Sequence, residues 1–470
     1  MATLVGIYLT LLAFSLVGLM YVQARAGKVD LLCTRNFFIL GFIIFQLTGG
    51  AASLFFDEYG YFRIQNFTLT PVIYAIMSTI FTVLLLLFYS KGWITAKLAQ
   101  RFRLQPVAAG AGSLLTLAWV FIGVGIAFRF GFVYIPIIGG GFDMLGNGML
   151  AAAAGMATWA AVSRLSNPFV LLLTLAVIGV AGIVTIAGDF GRRDLLGVIG
   201  CIGWAAFHGY WKHLGFKAAW WRLVVVGSAG FLFLAAFTAA REGNFRDKSA
   251  TDILASLQGA DVGSGAWDLI TGQNAGANSM WVIEQYPKNR DFDTLHTLRS
   301  VLYFPIPRTF APNKPIALAL SMPDDAGIRN KPENWNIGPG IIGHIAHDNG
   351  WIAMIPYALL IGLYLRFFDE IVRQNPLNPF AILPMGVALG QFIGMPRGEF
   401  ALFFVLSIVY SFGTFAVMMF CYQGMKILGW TIRPDTEAEL YDEKLAETYG
   451  DDSHAPHDPH DPHNASEPAA

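Results

Sequence analysis

The chain has 470 residues, of which 55% are hydrophobic and 13% are charged, and its formal net charge at pH 7 is −1. Soluble domains usually carry about 25% charged residues, so this composition excludes an ordinary soluble enzyme, and the near-zero net charge argues against nucleic acid as a partner. Apolar runs near the length that crosses a hydrocarbon core of roughly 30 Å recur along the chain. The sequence therefore predicts an all-α, polytopic integral membrane protein in contact with membrane lipid.

The apolar runs predict about eleven transmembrane helices within one domain, residues 1–433. The runs fall at about 3–22, 36–56, 70–89, 106–128, 145–163, 168–188, 194–211, 222–240, 349–366, 378–395 and 400–429. No basic segment precedes the first run, and the run is too long for a secretory signal. We therefore expect the first run to remain in the protein as a helix.

The connections between the runs alternate in positive charge. The short even-numbered connections hold five basic residues, Arg63, Arg129, Arg192, Arg193 and Arg397. The odd-numbered connections and the segment after the last run hold fifteen, which are Arg25, Lys28, Arg35, Lys91, Lys97, Arg101, Arg103, Arg164, Lys212, Lys217, Arg222, Arg366, Arg373, Lys426 and Arg433. Since Lys and Arg concentrate in cytoplasmic loops, we expect the N-terminus outside and the C-terminus in the cytoplasm.

Two segments differ from the apolar runs. Residues 241–345 form one long outer (periplasmic) connection, whose aromatic and aliphatic residues recur at helical spacing in places. We expect short amphipathic helices there that fold back over the membrane domain. Residues 434–470 are acidic and then His-rich, which predicts a disordered cytoplasmic tail. The alternative is metal binding by histidines spaced three apart, at positions 454, 457, 460 and 463.

The first of four polar clusters on the predicted outer side lies at 188–194, between the sixth and seventh runs. A glycine-containing turn there presents Arg192 and Arg193, and arginine grips phosphate oxygens with two parallel hydrogen bonds. The alternative is a solvated loop in which the arginines pair with Asp189 and Asp194. Both interpretations remain open.

The second cluster is the proline-rich segment 305–315 of the outer connection. Its four prolines stiffen the backbone and so fix the directions of Arg308 and Lys314. A rigid segment with two basic residues suits the binding of an anion. The alternative is a stiff connector in which the basic residues are incidental.

The third cluster, at 343–350, leads from the outer connection into an apolar run. His344 and His347 are three residues apart and share one face of a helix, and histidine is a general base near neutral pH. The alternative is a polar helix start capped by Asp348 or Asn349. Two histidines and one aspartate are a weak metal site, so we predict neither a metal nor another cofactor.

The fourth cluster is the short link 395–400 between the last two runs. Such a link cannot extend far from the membrane, so Arg397 and Glu399 must lie near the interface. The alternative is an Arg–Glu pair that only closes a helical hairpin. Taken together, the four clusters offer cations for a membrane-embedded diphosphate and four candidate bases, His344, His347, Asp348 and Glu399.

The order and sidedness of these clusters resemble the oligosaccharide repeat-unit (O-antigen) polymerase superfamily, which includes the O-antigen ligases. The similar features are a Gly-Arg-Arg turn at 191–193, the long outer connection, Ile306-Pro307-Arg308, Asn313-Lys314-Pro315, Asn349-Gly350 and Arg397-Gly398-Glu399. The resemblance implies a glycosyltransferase of the bacterial inner membrane that transfers a glycan from an undecaprenyl diphosphate carrier to a lipid-linked repeat unit. It also implies that Arg192 or Arg193, Arg308 and Arg397 bind the donor diphosphate, and that a chain-length regulator and a flippase are partners.

One departure leaves the base open. Members of the superfamily often carry glutamate where this chain has His344, so either His344 takes that role or Glu399 or Asp348 does. A ligase of the same superfamily is an alternative function, because polymerase and ligase share fold and donor. A non-enzymatic lipid-glycan transporter is another alternative, but the ionisable residues gather on one side rather than at the midplane.

Overall fold

The computed structural model describes residues 1–105, 107, 109–187, 192–240, 256, 258–304, 306–328 and 336–432, apart from the side chains of residues 192 and 273. Every regular element within these ranges is helical, which confirms the predicted all-α class. The predicted tail, 434–470, and the glycine-containing turn at 188–191 lie outside the described residues.

The helices are numbered here in chain order. They are α1 (Ala2–Arg25), α2 (Thr34–Phe56), α3 (Leu69–Ser90), α4 (Trp93–Ala99), α5 (Ala111–Tyr134), α6 (Gly139–Val162), α7 (Pro168–Ile186), α8 (Arg192–Gly209), α9 (Phe216–Ala240), α10 (Val262–Ile270), α11 (Ala275–Gln285), α12 (His296–Tyr303), α13 (Leu318–Asp325), α14 (Gly340–Asn349), α15 (Met354–Gln374), α16 (Pro379–Gly394) and α17 (Phe400–Ile427).

Eight helices of the described chain are long and apolar enough to cross a membrane, and they are α1, α2, α3, α5, α6, α7, α9 and α17. The protein is therefore a polytopic membrane protein. The other three predicted runs also form helices, α8, α15 and α16, but these are shorter or more polar. Helix α16 is interrupted at Ala388, and α15 carries four charged residues between Arg366 and Arg373.

Asparagine followed by proline starts two of the helices. The Oδ1 atom of Asn167 accepts hydrogen bonds from the amides of Phe169 and Val170, and Pro168 occupies the first helical position of α7. Asn378 and Pro379 repeat the arrangement at α16. The side chain satisfies amides that have no partner inside the helix, and proline has no amide to satisfy there.

Helix α6 lies at the centre of the bundle because its side chains are small. Residues 146–157, which are mostly alanine and glycine, are buried throughout, and α6 contacts α5, α7 and α8. In lipid, helices associate by close packing rather than by hydrophobic exclusion, and small residues permit that approach. At Gly155, an added Cβ would lie 2.6 Å from Cys201 of α8, so the two helices leave no room for a larger residue.

The odd-numbered connections contact one another at one end of the bundle, which we call the inner end. Lys212 pairs with Asp30 at 2.8 Å between Nζ and Oδ2. Asn375 donates to the Phe102 carbonyl at 3.2 Å, which joins the start of the α15–α16 connection to the segment after α4. These bonds join four predicted cytoplasmic connections in two pairs, the first with the seventh and the third with the ninth.

The described part of the long connection packs at the opposite end, which we call the outer end. Glu284 of α11 accepts hydrogen bonds from the amides of Gln65 and Asn66 at 2.7 and 2.6 Å, just before α3 begins. Helix α11 is mostly buried and contacts α2, α3 and α14. Helices α10, α12 and α13 complete this layer around α14.

A π-helical segment of α2, Ile43–Thr48, directs Gln46 into this layer. Gln46 is fully buried, and its side-chain amide donates to the Pro396 carbonyl at 2.8 Å. Its Oε1 atom lies 3.0 Å from the hydroxyls of Tyr74 and Ser279. One amide therefore joins α2, α3, α11 and the α16–α17 turn, and it fixes the frame that holds the polar clusters.

Candidate functional site

The third and fourth predicted clusters form one site at the outer end. His344 of α14 and Glu399 of the α16–α17 turn approach to 3.8 Å between Nε2 and Oε2. The Oε2 atom of Glu399 also accepts a hydrogen bond from the Ala319 amide at 3.0 Å, which adds the start of α13. A backbone hydrogen bond of 3.0 Å from Ile341 to Pro396 aligns α14 with the turn.

Asp348 is the centre of the hydrogen-bond network. Its buried carboxylate accepts four hydrogen bonds, from His347 Nδ1 at 2.8 Å, from the Thr297 amide at 2.8 Å, from the Thr297 hydroxyl at 3.1 Å and from the Tyr357 hydroxyl at 2.8 Å. Each oxygen receives two donors, which is the pattern of a carboxylate that only accepts. Asp348 thus connects α12, α14 and α15.

His347 and Asp348 form a hydrogen-bonded dyad. Because Nδ1 of His347 donates to the carboxylate, Nε2 carries the lone pair of the neutral ring. The Nε2 atom has no hydrogen-bond partner among the described residues, and the side chain is 8% exposed. This geometry leaves one nitrogen able to accept a proton while a fixed carboxylate supports the other.

Two aromatic rings hold the His347 ring in place. Tyr286 and His296 contact it edge-on, with ring centroids 4.9 and 5.1 Å away. His296 is itself fixed, since Nδ1 lies 2.6 Å from Asp293 Oδ2 and Nε2 lies 2.9 Å from the Ile316 carbonyl. Burial acts to raise the pKa of Asp293, but the hydrogen bond and charge of His296, with the charge of Arg299, lower it below its usual value.

His344 is fully buried, and both of its ring nitrogens are engaged. Nδ1 lies 2.9 Å from the Thr297 hydroxyl, and Nε2 accepts a hydrogen bond from the Phe400 amide at 3.2 Å. Burial lowers the pKa of His344, and the nearby carboxylates of Glu399 and Asp348 oppose this only in part. The ring is therefore neutral near pH 7 and has no nitrogen available to a substrate.

Glu399 has one engaged oxygen and one that is not. Oε2 accepts from the Ala319 amide, whereas Oε1 is buried and has no hydrogen-bond partner among the described residues. A buried polar atom without a partner is costly, so it marks a position where a ligand or a water would bind. Glu399 lies on the turn beside Arg397, and the predicted Arg–Glu pair closing this hairpin is not among the ion pairs of the described residues.

Arg193 and Arg397 lie around the same turn. The guanidinium of Arg193 lies 6.0 Å from the centre of the Phe403 ring, and that ring packs so closely on Gly398 that a Cβ there would collide with it. Arg397 lies over the Phe45 ring at 5.7 Å. Both arginines are half-buried, so the first and fourth clusters come together. The side chain of Arg192 lies outside the described residues.

The alternative, in which the arginines pair with Asp189 and Asp194, is seen for one pair. The Nε atom of Arg193 is 4.0 Å from Asp194 Oδ1, and that oxygen also accepts a 2.7 Å hydrogen bond from Tyr410. Asp194 therefore pairs with Arg193 and joins the start of α8 to α17, whereas Asp189 lies outside the described residues.

The second cluster closes on itself beside His296. Lys314 donates to the carbonyls of Phe304 and Ile306 at 2.9 and 3.3 Å, and exposed Arg308 donates to the Lys314 carbonyl at 3.3 Å. Burial lowers the pKa of Lys314, and the charge of Arg308 adds to this. No hydrogen bond between described residues links Arg308 to the two other arginines, and Pro305 is not described.

Three residues of the site were missed by the sequence analysis: Thr297, Tyr357 and His296. Each lies far from the third cluster in sequence or within an apolar run, so no local spacing indicates it. Within the described chain, no group of three or more His, Cys, Asp or Glu side chains is arranged to hold a metal ion.

Comparison of the chain with protein-family models, with curated proteins and with solved structures finds no match. The function is therefore argued from the site itself and from the motifs that resemble the polymerase superfamily.

Proposed function

We propose that the protein is a glycosyltransferase that uses a lipid-linked diphosphate donor at the outer face of the membrane. The observation that carries the proposal is the His347–Asp348 dyad, in which one imidazole nitrogen has no partner among the described residues. The dyad lies on α14, the helix that is bonded to the turn carrying Arg397, and Arg193 lies over the Phe403 ring that packs on the same turn. A proton acceptor beside fixed cations is what attack of a hydroxyl on a sugar diphosphate requires.

The reaction follows from these two parts. His347 Nε2 takes the proton of an acceptor hydroxyl while that oxygen attacks the anomeric carbon of the donor glycan. The bond from that carbon to the diphosphate oxygen breaks, and its electron pair leaves with the carrier diphosphate. Arg193, Arg397 and Arg308 neutralise the leaving group, so no metal is required. Asp348 holds the ring and stabilises the imidazolium that forms.

With His347 assigned as the base, the three other candidates receive different roles. His344 has both nitrogens engaged and is fully buried, so we assign it a positioning role. Asp348 receives four donors and acts through His347. Glu399 Oε1, which has no hydrogen-bond partner, faces the turn, and we assign it to bind a hydroxyl of the sugar.

An apolar surface beside the second cluster fits a lipid-linked substrate. Leu302 and Phe310 are 75% and 74% exposed, and Ile316 is also exposed, with Arg308 and Lys314 among them. Large exposed apolar side chains with basic neighbours suit the boundary between lipid tails and headgroups. A donor whose diphosphate lies at headgroup depth would reach Arg308 from the membrane.

We further propose eleven spans, with α8, α15 and α16 crossing together with the eight longer helices. The support is that the first connection meets the seventh and the third meets the ninth at the inner end, while the second meets the long eighth connection at the outer end. Consecutive crossings by all the predicted spans require this alternation. The positive charges then place the N-terminus outside and the C-terminus in the cytoplasm of a bacterial inner membrane. A chain-length regulator and a flippase are the partners that the polymerase resemblance implies.

Polymerase activity is the preferred form, and ligase activity of the same superfamily is the alternative. A deletion strain separates the two, with lipid-linked intermediates extracted and sized. Single lipid-linked repeat units accumulate if a polymerase is lost, and long lipid-linked chains accumulate if a ligase is lost. Transport of lipid-linked glycan into liposomes without any lengthening would instead support a transporter.

The arginines provide the variant test. We expect Arg308→Ala and Arg397→Ala to abolish chain extension in the deletion strain, because each removes a cation that neutralises the leaving diphosphate. Arg63→Ala is the matched control, since Arg63 lies at the same end but pairs with Asp57 on the surface. All three variants should insert in the membrane in wild-type amounts. Polymer of wild-type length in both site variants would contradict the proposal.

A further inference from the structure

We infer that Thr297 is a positioning residue that fixes the tautomer of His344 and thereby the turn carrying Arg397 and Glu399. The expected effect of Thr297 on transfer rests on the proposed function, whereas the assignment of the His344 tautomer does not. It follows from the directions of three hydrogen bonds, two at the buried Thr297 hydroxyl and one at the opposite nitrogen of His344.

The Thr297 hydroxyl has a single hydrogen, and two acceptors compete for it. Asp348 Oδ1 lies 3.1 Å away and His344 Nδ1 lies 2.9 Å away. The carboxylate can only accept, so a hydroxyl that donates to it must accept from the imidazole. Thr297 therefore places the proton of neutral His344 on Nδ1.

The opposite nitrogen gives independent support for this tautomer. The Phe400 amide points at Nε2 from 3.2 Å, and an amide donates only to a nitrogen that carries a lone pair. The other tautomer would satisfy the Gly398 carbonyl, also 3.2 Å from Nε2, but it would leave the Phe400 amide and one Asp348 contact unmatched. The tautomer protonated on Nδ1 thus satisfies three donor–acceptor pairs in a buried site and the other tautomer satisfies two, so the first is favoured.

The resulting chain runs from the dyad to the anion-binding turn. Asp348 accepts from Thr297, Thr297 accepts from His344, and His344 accepts from the Phe400 amide at the start of α17. The residues just before Phe400 are Arg397, Gly398 and Glu399, so this amide fixes their position relative to His347. One carboxylate thus orients both the base and the turn.

The test replaces Thr297 by valine, which keeps the shape and removes the hydroxyl, and by serine, which restores it. Nitrogen-15 NMR of histidine-labelled protein in nanodiscs reports the His344 tautomer, with the resonance assigned by its loss in His344→Gln. We expect protonated Nδ1 in the wild-type protein and in Thr297→Ser, and a changed tautomer or a mixture in Thr297→Val. A wild-type ring protonated on Nε2, or no change in Thr297→Val, overturns the inference.

Activity gives the second readout. We expect kcat for glycan transfer to fall about tenfold in Thr297→Val, with recovery in Thr297→Ser, because the two buried hydrogen bonds of the hydroxyl are lost and regained. Thr158→Val is the matched control, since the Thr158 hydroxyl is also buried but bonds only to the Ala154 carbonyl of its own helix. The tautomer result is independent of activity, so the inference survives if no transfer is found. Transfer with unchanged kcat in Thr297→Val counts against it.

Discussion

Two carboxylates, a half-buried one at the inner end of the bundle and a buried one at the outer end, each accept four hydrogen bonds, but the donors have different chemistry. At the inner end, Asp369 accepts from the Thr34 amide and hydroxyl at 2.7 and 2.8 Å, from the Arg35 amide at 3.3 Å and from the Tyr89 hydroxyl at 2.8 Å. At the outer end, one of the four donors to Asp348 is the imidazole of His347, whose second nitrogen has no hydrogen-bond partner among the described residues.

The donors to Asp369 stabilise the fold, whereas one donor to Asp348 can also take part in a reaction. None of the groups bonded to Asp369 exchanges a proton near neutral pH, and together they attach the start of α2 to α15 and α3. Asp348 performs a similar attachment, but it also holds an imidazole, the type of side chain that serves as a general base near neutral pH. The number of hydrogen bonds alone therefore does not identify a functional carboxylate in this protein.

The largest expected effect comes from removing the base. We expect His347→Gln to reduce transfer by roughly 10²–10⁴-fold, the usual contribution of a positioned general base, while the protein folds and inserts normally. Transfer is measured with purified protein and a lipid-linked oligosaccharide in nanodiscs. His296→Gln is the control, because His296 contacts the same ring but has both nitrogens bonded to other groups. Equal losses in the two variants would remove the distinction between base and support.

The sequence predicts the helices well because their lengths follow from hydropathy alone. All eleven predicted runs are helical, yet only eight are long and apolar enough by composition, since α8, α15 and α16 are shorter or more polar. Hydropathy does not register a break such as the one at Ala388. It also does not predict the π-helical segment that turns Gln46 inward, because that segment depends on partners in other helices.

The site is predicted in part. Local spacing places His344 and His347 on one face of a helix, but it cannot tell which ring remains accessible. That choice is made by Thr297, which lies 51 residues before Asp348, and by Phe400, which lies 56 residues after His344. Such partners depend on how the outer connection folds back over the bundle, and neither periodicity nor charge contains that information.

The next largest effect tests the inner carboxylate. We expect Asp369→Asn to lower the free energy of unfolding by about 2 kcal/mol, because an amide nitrogen would face the Arg35 amide and leave a buried donor unsatisfied. Transfer per folded molecule should be unchanged. Thermal unfolding in detergent measures the first quantity, and Asp57→Asn, at an exposed position, is the control. A loss of specific activity at unchanged stability would contradict the assignment.

The smallest effect is a dependence of stability on pH that arises from His344. Burial lowers the pKa of this ring in the folded protein, whereas in the unfolded chain it titrates near its ordinary value of about 6.5. As the pH falls below that value, the unfolded chain binds a proton before the folded protein does, so the free energy of unfolding decreases. This contribution to stability is complete at pH values above the pKa of the unfolded chain. It is lost as the pH falls from that pKa to the lower pKa of the folded protein.

His344→Gln removes this titration. The apparent Tm should therefore fall less between pH 7.5 and pH 5.5 in the variant than in the wild-type protein. Each unit by which folding lowers the pKa of the ring corresponds to roughly 1.4 kcal/mol in the free energy of unfolding. The variant also loses the bond to the Phe400 amide, so its Tm at the higher pH should be lower. The slope and the offset thus report two separate properties of one ring. An equal slope in both proteins would mean that the pKa of this imidazole is the same in the folded protein and in the unfolded chain, which would contradict its burial as a neutral ring.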